Sequence, residues 1–156
     1  MTSNEKPTKP TLIYLQTITA NEGEINFVSS KASKKHGGSI TVIEGAKQIP
    51  FDIKRVYYLY NVDENGSRGG HAHKNLEQVI IAVSGSVDVV TDDGVEQKTF
   101  SLNRPDQGLY LPKMIWRDLI NLKSNSICLV LASEHYKNDD YIRDAKKFKE
   151  MLKQND

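Results

Sequence analysis

Several features are scarce in this sequence, and each scarcity excludes a class of protein. The 156 residues include one cysteine, Cys128, so no internal disulfide can form, which favours a cytoplasmic protein. No apolar run approaches the roughly 18 residues of a transmembrane helix. Lys and Arg total 21 against 20 Asp and Glu, which leaves no basic excess for nucleic acid or an anionic membrane. Residues 1–10 are polar and lack the apolar core of a secretory signal. We therefore expect one cytoplasmic domain with neither a nucleic-acid nor a membrane partner.

Short strands account for most of the apolar residues. From residue 12 onward, apolar segments alternate with turn signals, and residues 22–24 and 29–38 have the composition of turns or loops. The strongest β signal is residues 55–60 (RVYYLY), while the Asp-Gly pair at 93–94 is typical of a hairpin turn. About nine short strands at this spacing indicate a sandwich or barrel rather than a parallel sheet with crossover helices.

One helix is predicted, at about residues 139–153. An apolar stripe at helical spacing comprises Tyr141, Ala145, Phe148 and Leu152. Asn138 or Asp139 can cap this helix, and the acidic pair Asp139 and Asp140 suits its first turn. We expect a disordered tail at residues 1–10, followed by a single domain, residues 11–156, that includes this helix.

The segment most informative about chemistry is residues 68–78 (RGGHAHKNLEQ). Side chains alternate between the faces of a strand, so His71 and His73 point the same way, together with Glu77. That face becomes apolar toward Val83, as expected of one strand that runs from a barrel mouth into its packed floor. Two imidazoles and a carboxylate can bind a divalent metal or transfer protons. A surface hairpin with solvated histidines is the plainer interpretation.

This segment resembles the first motif of the cupin superfamily, a His-x-His pair followed by a glutamate and a glycine turn. Its residues here are His71, His73, Glu77 and Gly85. The second motif is partly present: Pro112 fits, but Met114 replaces a glycine and Arg117 stands where the last histidine ligand belongs. Arginine stays protonated and does not ligate metals, so no metal is expected. The resemblance implies an all-β fold, an RmlC-like jelly roll that forms a double-sheet antiparallel barrel, here with a C-terminal α-helix.

A narrower resemblance links the chain to the sugar-nucleotide 3,4-ketoisomerases, which are WxcM-like cupins. The similar segments are residues 53–58 (IKRVYY), 68–74 (RGGHAHK), 76–78 (LEQ) and 140–143 (DYIR), in that order. Residues 38–44 (GSITVIE) also resemble the family's opening element, so the match covers about residues 37–150. The resemblance implies an enzyme without metal or other cofactor, and a dTDP-linked 4-keto-6-deoxyhexose, dTDP-4-keto-6-deoxyglucose, as its substrate.

The resemblance also implies which residues act. Moving a carbonyl from C4 to C3 requires a base that removes the C3 proton, an enediolate, and a proton returned at C4. The family's favoured base corresponds to His71, with His73 and Tyr57 nearby. Strand parity places Tyr57 on the same face as Arg55. The residues implied to bind the substrate are Arg55, Arg68, Lys74, Glu77, Tyr110, Trp116 and Arg117.

Structural roles remain open for several of these residues. Tyr57 is compatible with a barrel-lining core position, and Trp116 with the core. Arg55 could equally pair with an acid such as Glu77. The chain could also be a non-catalytic cupin that binds a sugar nucleotide, a metal-dependent cupin, or a related 3,5-epimerase, since epimerisation also begins next to a carbonyl.

The resemblance extends to assembly and pathway. The family forms dimers in which N-terminal strands pair across the interface, so we expect a homodimer with residues 12–15 as the pairing strand. The product would pass to a transaminase and an acyltransferase, giving an acylamino-dideoxy sugar for a surface polysaccharide such as the O-antigen of lipopolysaccharide.

Overall fold

The computed structural model describes residues 6–20 and 38–154. Strands dominate this described part. In chain order the elements are β1 (Thr11–Tyr14), β2 (Gln16–Ala20), β3 (Gly38–Val42), β4 (Arg55–Leu59), β5 (Arg68–His73), β6 (Gln78–Ser84), β7 (Val87–Asp92), β8 (Gln97–Leu102), β9 (Gln107–Leu111), β10 (Trp116–Ile120), β11 (Ile127–Ala132), a 3₁₀ turn (Asn138–Asp140), β12 (Tyr141–Ile142) and α1 (Ala145–Gln154).

Two five-stranded antiparallel sheets form the body of the fold. The first has the order β1-β9-β6-β11-β4, the second has the order β12-β5-β10-β7-β8, and β2 pairs with β3 in a separate ribbon. β1 pairs with β9 of its own chain and lies at one edge of the first sheet, with β4 at the other edge. The predicted all-β, double-sheet architecture with a C-terminal helix is confirmed.

The main core lies between the two sheets. Along β7, Val87 and Val89 are buried while Asp88 stays partly exposed, the alternation expected of a strand with one face in the core. β6 and β9 differ because both of their faces are covered. Ile49 and Phe51, from the loop before β4, pack against their outer face. The first sheet is therefore rigidly supported behind the strands that face the interior.

Residues 71–83 do not form the single strand that was predicted. β5 and β6 belong to different sheets, and residues 74–77 bend between them. The bend reverses the parity, so Ile80 packs between the sheets whereas Val79 lies in the outer cluster. Hydrogen bonds stabilise the bend: Ser133 N donates to the carbonyl of Glu77 (3.0 Å), and Glu77 N donates to Ser133 Oγ (2.9 Å). Of the face predicted to hold His71, His73 and Glu77, only the two histidines lie together, with ring centroids 4.9 Å apart.

The C-terminal helix begins later than predicted. It starts at Ala145 rather than near residue 139, because Tyr141 and Ile142 pair with β5 as β12. Asp144 caps the helix, since its Oδ1 accepts the backbone N–H of Lys147 (2.9 Å). Phe148 is buried against the second sheet, so this part of the predicted apolar stripe does face the domain.

Some predictions concern the ends of the described ranges. The predicted turns at 22–24 and 29–38 lie outside the described residues, apart from Gly38, which begins β3. Lys6 belongs to the predicted disordered tail, and in the structure its Nζ lies 3.0 Å from the Glu77 carboxylate.

Cys128 is buried, as expected from its apolar run. No helix in the described ranges is long and apolar enough to cross a membrane.

Candidate active site

A pocket of about 290 Å³ opens between the two sheets. Its walls come from strands of both sheets and from the start of β12. The lining residues are Arg55, Tyr57, Leu59, Arg68, Gly69, His71, Gln78, Ile80, Arg117, Leu119, Val130 and Tyr141. Polar and cationic groups therefore converge on an otherwise apolar cavity, which is the usual composition of a small-molecule site.

Two glycines shape the strand that carries His71. Gly69 and Gly70 have φ angles of +96° and +66°, in the region that side chains with a Cβ rarely adopt. A Cβ on Gly69 would lie 2.6 Å from the carbonyl oxygen of Arg117. The neighbouring strand is irregular there, since the register between β10 and β5 shifts between Arg117 and Asp118. The glycines therefore let β5 approach β10 closely enough to bring His71 beside Arg117.

His71 is held in the tautomer that suits a base. Its Nδ1 lies 3.1 Å from the carbonyl oxygen of Gly69. A carbonyl can only accept, so Nδ1 carries the proton and the lone pair is on Nε2. Burial and the nearby charge of Arg117 lower the pKa of His71 to about 4. The imidazole is therefore neutral at pH 7 and able to take a proton.

His73 lies behind His71 and is fully buried. Its Nδ1 is 3.1 Å from Oδ2 of Asp140, and its ring contacts Tyr141 with centroids 4.3 Å apart. Burial, followed by the charge of Arg117, lowers the pKa of His73 far below its ordinary value. His73 is thus a neutral imidazole hydrogen-bonded to a carboxylate.

Tyr57 reaches the same pocket from the first sheet. Gln78 Nε2 donates to its hydroxyl oxygen (2.8 Å), which leaves the phenolic proton free to be donated elsewhere. Burial, followed by the electrostatic effect of Tyr141, raises the pKa of Tyr57. At neutral pH Tyr57 therefore retains its proton and can act as a hydrogen-bond donor or acid.

Two guanidinium groups give the pocket a strong positive potential. Arg117 is 1% exposed, and its one side-chain hydrogen bond to the described residues is long, from Nη1 to the carbonyl of His71 (3.5 Å). The Nε and Nη2 atoms of both Arg117 and Arg55 are buried without a partner among the described residues. Burial lowers the pKa of Arg117 to about 10, so the group stays charged at pH 7. Unsatisfied buried cations of this kind are suited to binding an anion.

Five predicted site residues line the pocket, and a sixth contacts one of them. Arg55, Tyr57, Arg68, His71 and Arg117 all line it, and the His73 ring packs against His71. The ion pair considered for Arg55 and Glu77 is absent from the ion pairs of the described residues. Arg55 instead lies over the rings of Tyr57 (5.3 Å) and Tyr136 (5.5 Å).

The other four predicted residues lie elsewhere. Glu77 accepts from the Tyr110 hydroxyl, and both line a separate cavity with Lys6 on the outer side of the first sheet. Trp116 stacks near Phe148 of the helix, with ring centroids 5.7 Å apart. Lys74 donates to the carbonyl of Asp139 (2.6 Å). The parity reversal at the bend explains why Glu77 points away from the histidines.

Sequence reasoning missed Gln78 and Tyr141, which line the pocket, and Asp140, which contacts His73. The Gln78 side chain points into the pocket from β6. A single continuous strand over residues 71–83 would instead direct the odd-numbered side chains of this segment inward. Tyr141 and Asp140 lie in a segment that carried the family resemblance but was interpreted as helix. Their proximity to His73 depends on the pairing of β12 with β5, for which the sequence has no signal beyond the motif itself.

The residues present do not fit a divalent metal. No group of three or more His, Cys, Asp or Glu side chains in the described ranges is arranged to hold one. Glu77 lies on the other side of the sheet, and the charge of Arg117 acts on both imidazoles. A cation in this position repels a second cation.

Comparison with known proteins identifies the family. The family model described as "FdtA: WxcM-like, C-terminal" matches residues 10–153. A curated TDP-4-oxo-6-deoxy-alpha-D-glucose-3,4-oxoisomerase from Aneurinibacillus thermoaerophilus is 42% identical over 115 residues, covering 74% of this chain and 83% of the relative.

Solved structures agree with this family match. The sugar 3,4-ketoisomerase QdtA from Thermoanaerobacterium thermosaccharolyticum, in complex with TDP, has 38% identity and a TM-score of 0.81, over 95% of this chain and 97% of that one. A 3,4-ketoisomerase from Helicobacter canadensis has 37% identity and a TM-score of 0.80, over 94% and 98%. The chain therefore belongs to the FdtA, WxcM-like C-terminal family.

Proposed function

We propose that the protein is a 3,4-ketoisomerase that converts TDP-4-keto-6-deoxyglucose into the 3-keto-6-deoxy sugar nucleotide. The observation that carries the proposal is a neutral His71, its Nε2 able to accept a proton, beside the buried guanidinium of Arg117, whose Nε and Nη2 have no hydrogen-bond partner among the described residues. A base and a fixed cation are what proton abstraction next to a carbonyl requires. The TDP-sugar as substrate is supported by the relatives, since the curated one is named for this reaction and a QdtA variant is described in complex with TDP-4-keto-6-deoxyglucose.

The reaction moves two hydrogens between neighbouring positions. His71 Nε2 removes the proton from C3, the electron pair of that bond forms the C3–C4 double bond, and the C4 oxygen takes the negative charge. C4 then takes up a proton from solvent and His71 releases the proton it had removed to solvent, while the C3 hydroxyl proton is transferred to the C4 oxygen. This leaves a carbonyl at C3 and His71 neutral again. No atom is gained or lost, and no oxidant is needed. Positioned proton transfer of this kind contributes roughly 10²–10⁴ in rate.

The other pocket residues support this sequence of steps. Arg117 stabilises the enediolate because its guanidinium is buried and its charge is fixed in place. Tyr57 donates its free phenolic proton to an oxygen of the sugar, since Gln78 already occupies its acceptor side. Arg55 and Arg68 bind the diphosphate, which arginine recognises well. Lys74, Glu77, Tyr110 and Trp116 have no part in this proposal because they do not line the pocket.

We infer from the same site that activity is independent of metal, since its residues do not fit one. A cytoplasmic homodimer completes the proposal. The product, a 3-keto sugar, is a substrate for a transaminase, so we place the enzyme before an amination step in deoxysugar biosynthesis for a surface polysaccharide such as the O-antigen of lipopolysaccharide.

An NMR time course with TDP-4-keto-6-deoxyglucose in deuterated buffer tests the function. We expect a 3-keto product with deuterium at C4, formed equally with and without EDTA. His71→Asn should lose turnover but still bind TDP. Turnover abolished by EDTA would contradict the proposed metal independence. Binding without turnover in the wild type would indicate a non-catalytic module, and inversion at C3 or C5 without carbonyl movement would indicate an epimerase.

A further inference from the structure

Asp140 is a buried carboxylate that receives hydrogen bonds from four donors. Oδ1 accepts from the backbone N–H of Asn75 (2.9 Å) and from its side-chain amide (3.2 Å). Oδ2 accepts from the backbone N–H of Leu76 (3.4 Å) and lies 3.1 Å from Nδ1 of His73. Asp140 is 8% exposed and belongs to the 3₁₀ turn just before β12. The chain thus holds this carboxylate firmly behind the active site.

The contact with Asp140 defines the tautomer of His73. A carboxylate oxygen accepts, so the nitrogen facing it must carry the proton. Nε2 is then the unprotonated nitrogen. It is buried and has no hydrogen-bond partner among the described residues. The charges of Arg117, Arg55 and Arg143 lower the pKa of this imidazole, which favours its uncharged form.

We propose that Asp140 is a positioning residue that holds His73 as the neutral tautomer protonated on Nδ1, with Nε2 as an acceptor beside His71. In this state the buried Nε2 of His73 carries a lone pair rather than an N–H. The His73 ring, whose centroid lies 4.9 Å from that of His71, thus packs against the base without adding positive charge. The expected effect on kcat rests on the proposed isomerase function, whereas the tautomer of His73 does not depend on it.

The pair Asp140→Asn and Asn75→Ala tests the proposal. An asparagine at 140 can still accept the two Asn75 donors on its oxygen, but its amide then donates to His73 Nδ1 and forces the proton onto Nε2. Asn75→Ala removes a donor to the same carboxylate and leaves the His73 contact intact. In serine proteases the equivalent aspartate-to-asparagine exchange, which creates the wrong tautomer, costs about 10⁴ in kcat.

Two readouts separate positioning from a purely structural role. ¹⁵N NMR of histidine-labelled protein should show His73 protonated on Nδ1 in the wild type and in Asn75→Ala, and on Nε2 in Asp140→Asn. With TDP-4-keto-6-deoxyglucose we expect kcat of Asp140→Asn to fall at least about tenfold with KM within about twofold, and Asn75→Ala to match wild type. Equal losses in both variants, or a changed tautomer with unchanged kcat, would overturn the proposal.

The wild-type spectrum keeps the proposal testable even if Asp140→Asn does not fold. A proton on Nε2 of His73 in the wild type would refute the assignment directly. If the wild type does not convert TDP-4-keto-6-deoxyglucose, the proposed function fails, while the wild-type spectrum still decides the role of Asp140 independently.

Discussion

At the scale of single residues, two neighbouring tyrosines of β4 have opposite environments. Tyr57 points into the pocket and bonds to Gln78, whereas Tyr58 is 60% exposed on the outer face. We expect Tyr57→Phe to lower kcat by about 10² or more, because it removes the proton donor to the sugar oxygen. Tyr58→Phe, which deletes the same atom one residue away, should stay within about twofold of wild type. Steady-state kinetics of both variants checks this, and similar losses in the two would contradict it.

The depressed pKa of His71 makes a second prediction at this scale. The base must be unprotonated, so kcat/KM should be level through neutral pH and fall on the acid side with a midpoint near 4. A pH–rate profile, with circular dichroism at each pH to confirm folding, measures it. A midpoint near the ordinary histidine value of 6.5 would show that His71 is not desolvated as described.

The lowered pKa of His71 also makes the free energy of unfolding depend on pH. Between the folded pKa of about 4 and the ordinary histidine pKa of 6.5, the unfolded chain binds more protons at His71 than the folded one. The free energy of unfolding therefore falls as pH falls through this window. His71→Asn should show a shallower fall between the two pH values in urea titrations, while a slope equal to that of wild type would contradict the shift.

At the scale of elements, the approach of β5 to β10 depends on Gly69. A Cβ there would lie 2.6 Å from a backbone oxygen, at a φ of +96°. We expect Gly69→Ala to reduce the free energy of unfolding by about 1–3 kcal/mol or more. Gly70→Ala, at φ +66° with its nearest neighbour 3.6 Å away, carries the conformational cost alone, roughly 1–2 kcal/mol. Chemical denaturation should rank the two variants in this order, and the reverse order would be inconsistent with the structure.

The start of the helix provides another test at this scale. Asp144 caps α1, so Asp144→Ala should cost about 1 kcal/mol in the free energy of unfolding. Asp139, which the sequence favours with Asn138 at the start of the helix, accepts a hydrogen bond from Lys74 through its backbone carbonyl, and alanine retains that carbonyl. Asp139→Ala should therefore be close to neutral. The opposite result in thermal or urea unfolding would favour the earlier helix start.

At the scale of the whole molecule, we expect two copies of the chain to associate. β1 lies at the edge of the first sheet, and an edge strand offers unpaired backbone groups to a second copy. Sedimentation velocity at micromolar concentration should give twice the 17.6 kDa of one chain. A mass of 17.6 kDa at that concentration would contradict the homodimer.

Local chemistry was sufficient for many features of the fold and the site. Alternating apolar residues and frequent turns predict an all-β domain because burial on one face of a strand needs a period of two. The His-x-His spacing places His71 and His73 together by the same geometry, and parity alone puts Arg55 and Tyr57 on one face.

Only the tertiary structure decided which of these residues meet. The bend at residues 74–77 reversed the parity that had placed Glu77 beside the histidines, because hydrogen bonds to Ser133, distant in sequence, hold that bend. In the same way, Asp140 and Tyr141 joined the site because β12 pairs with β5 instead of continuing the helix. Spacing along one strand determines a face, but the meeting of distant segments depends on hydrogen bonds and burial that form only when both sheets are assembled.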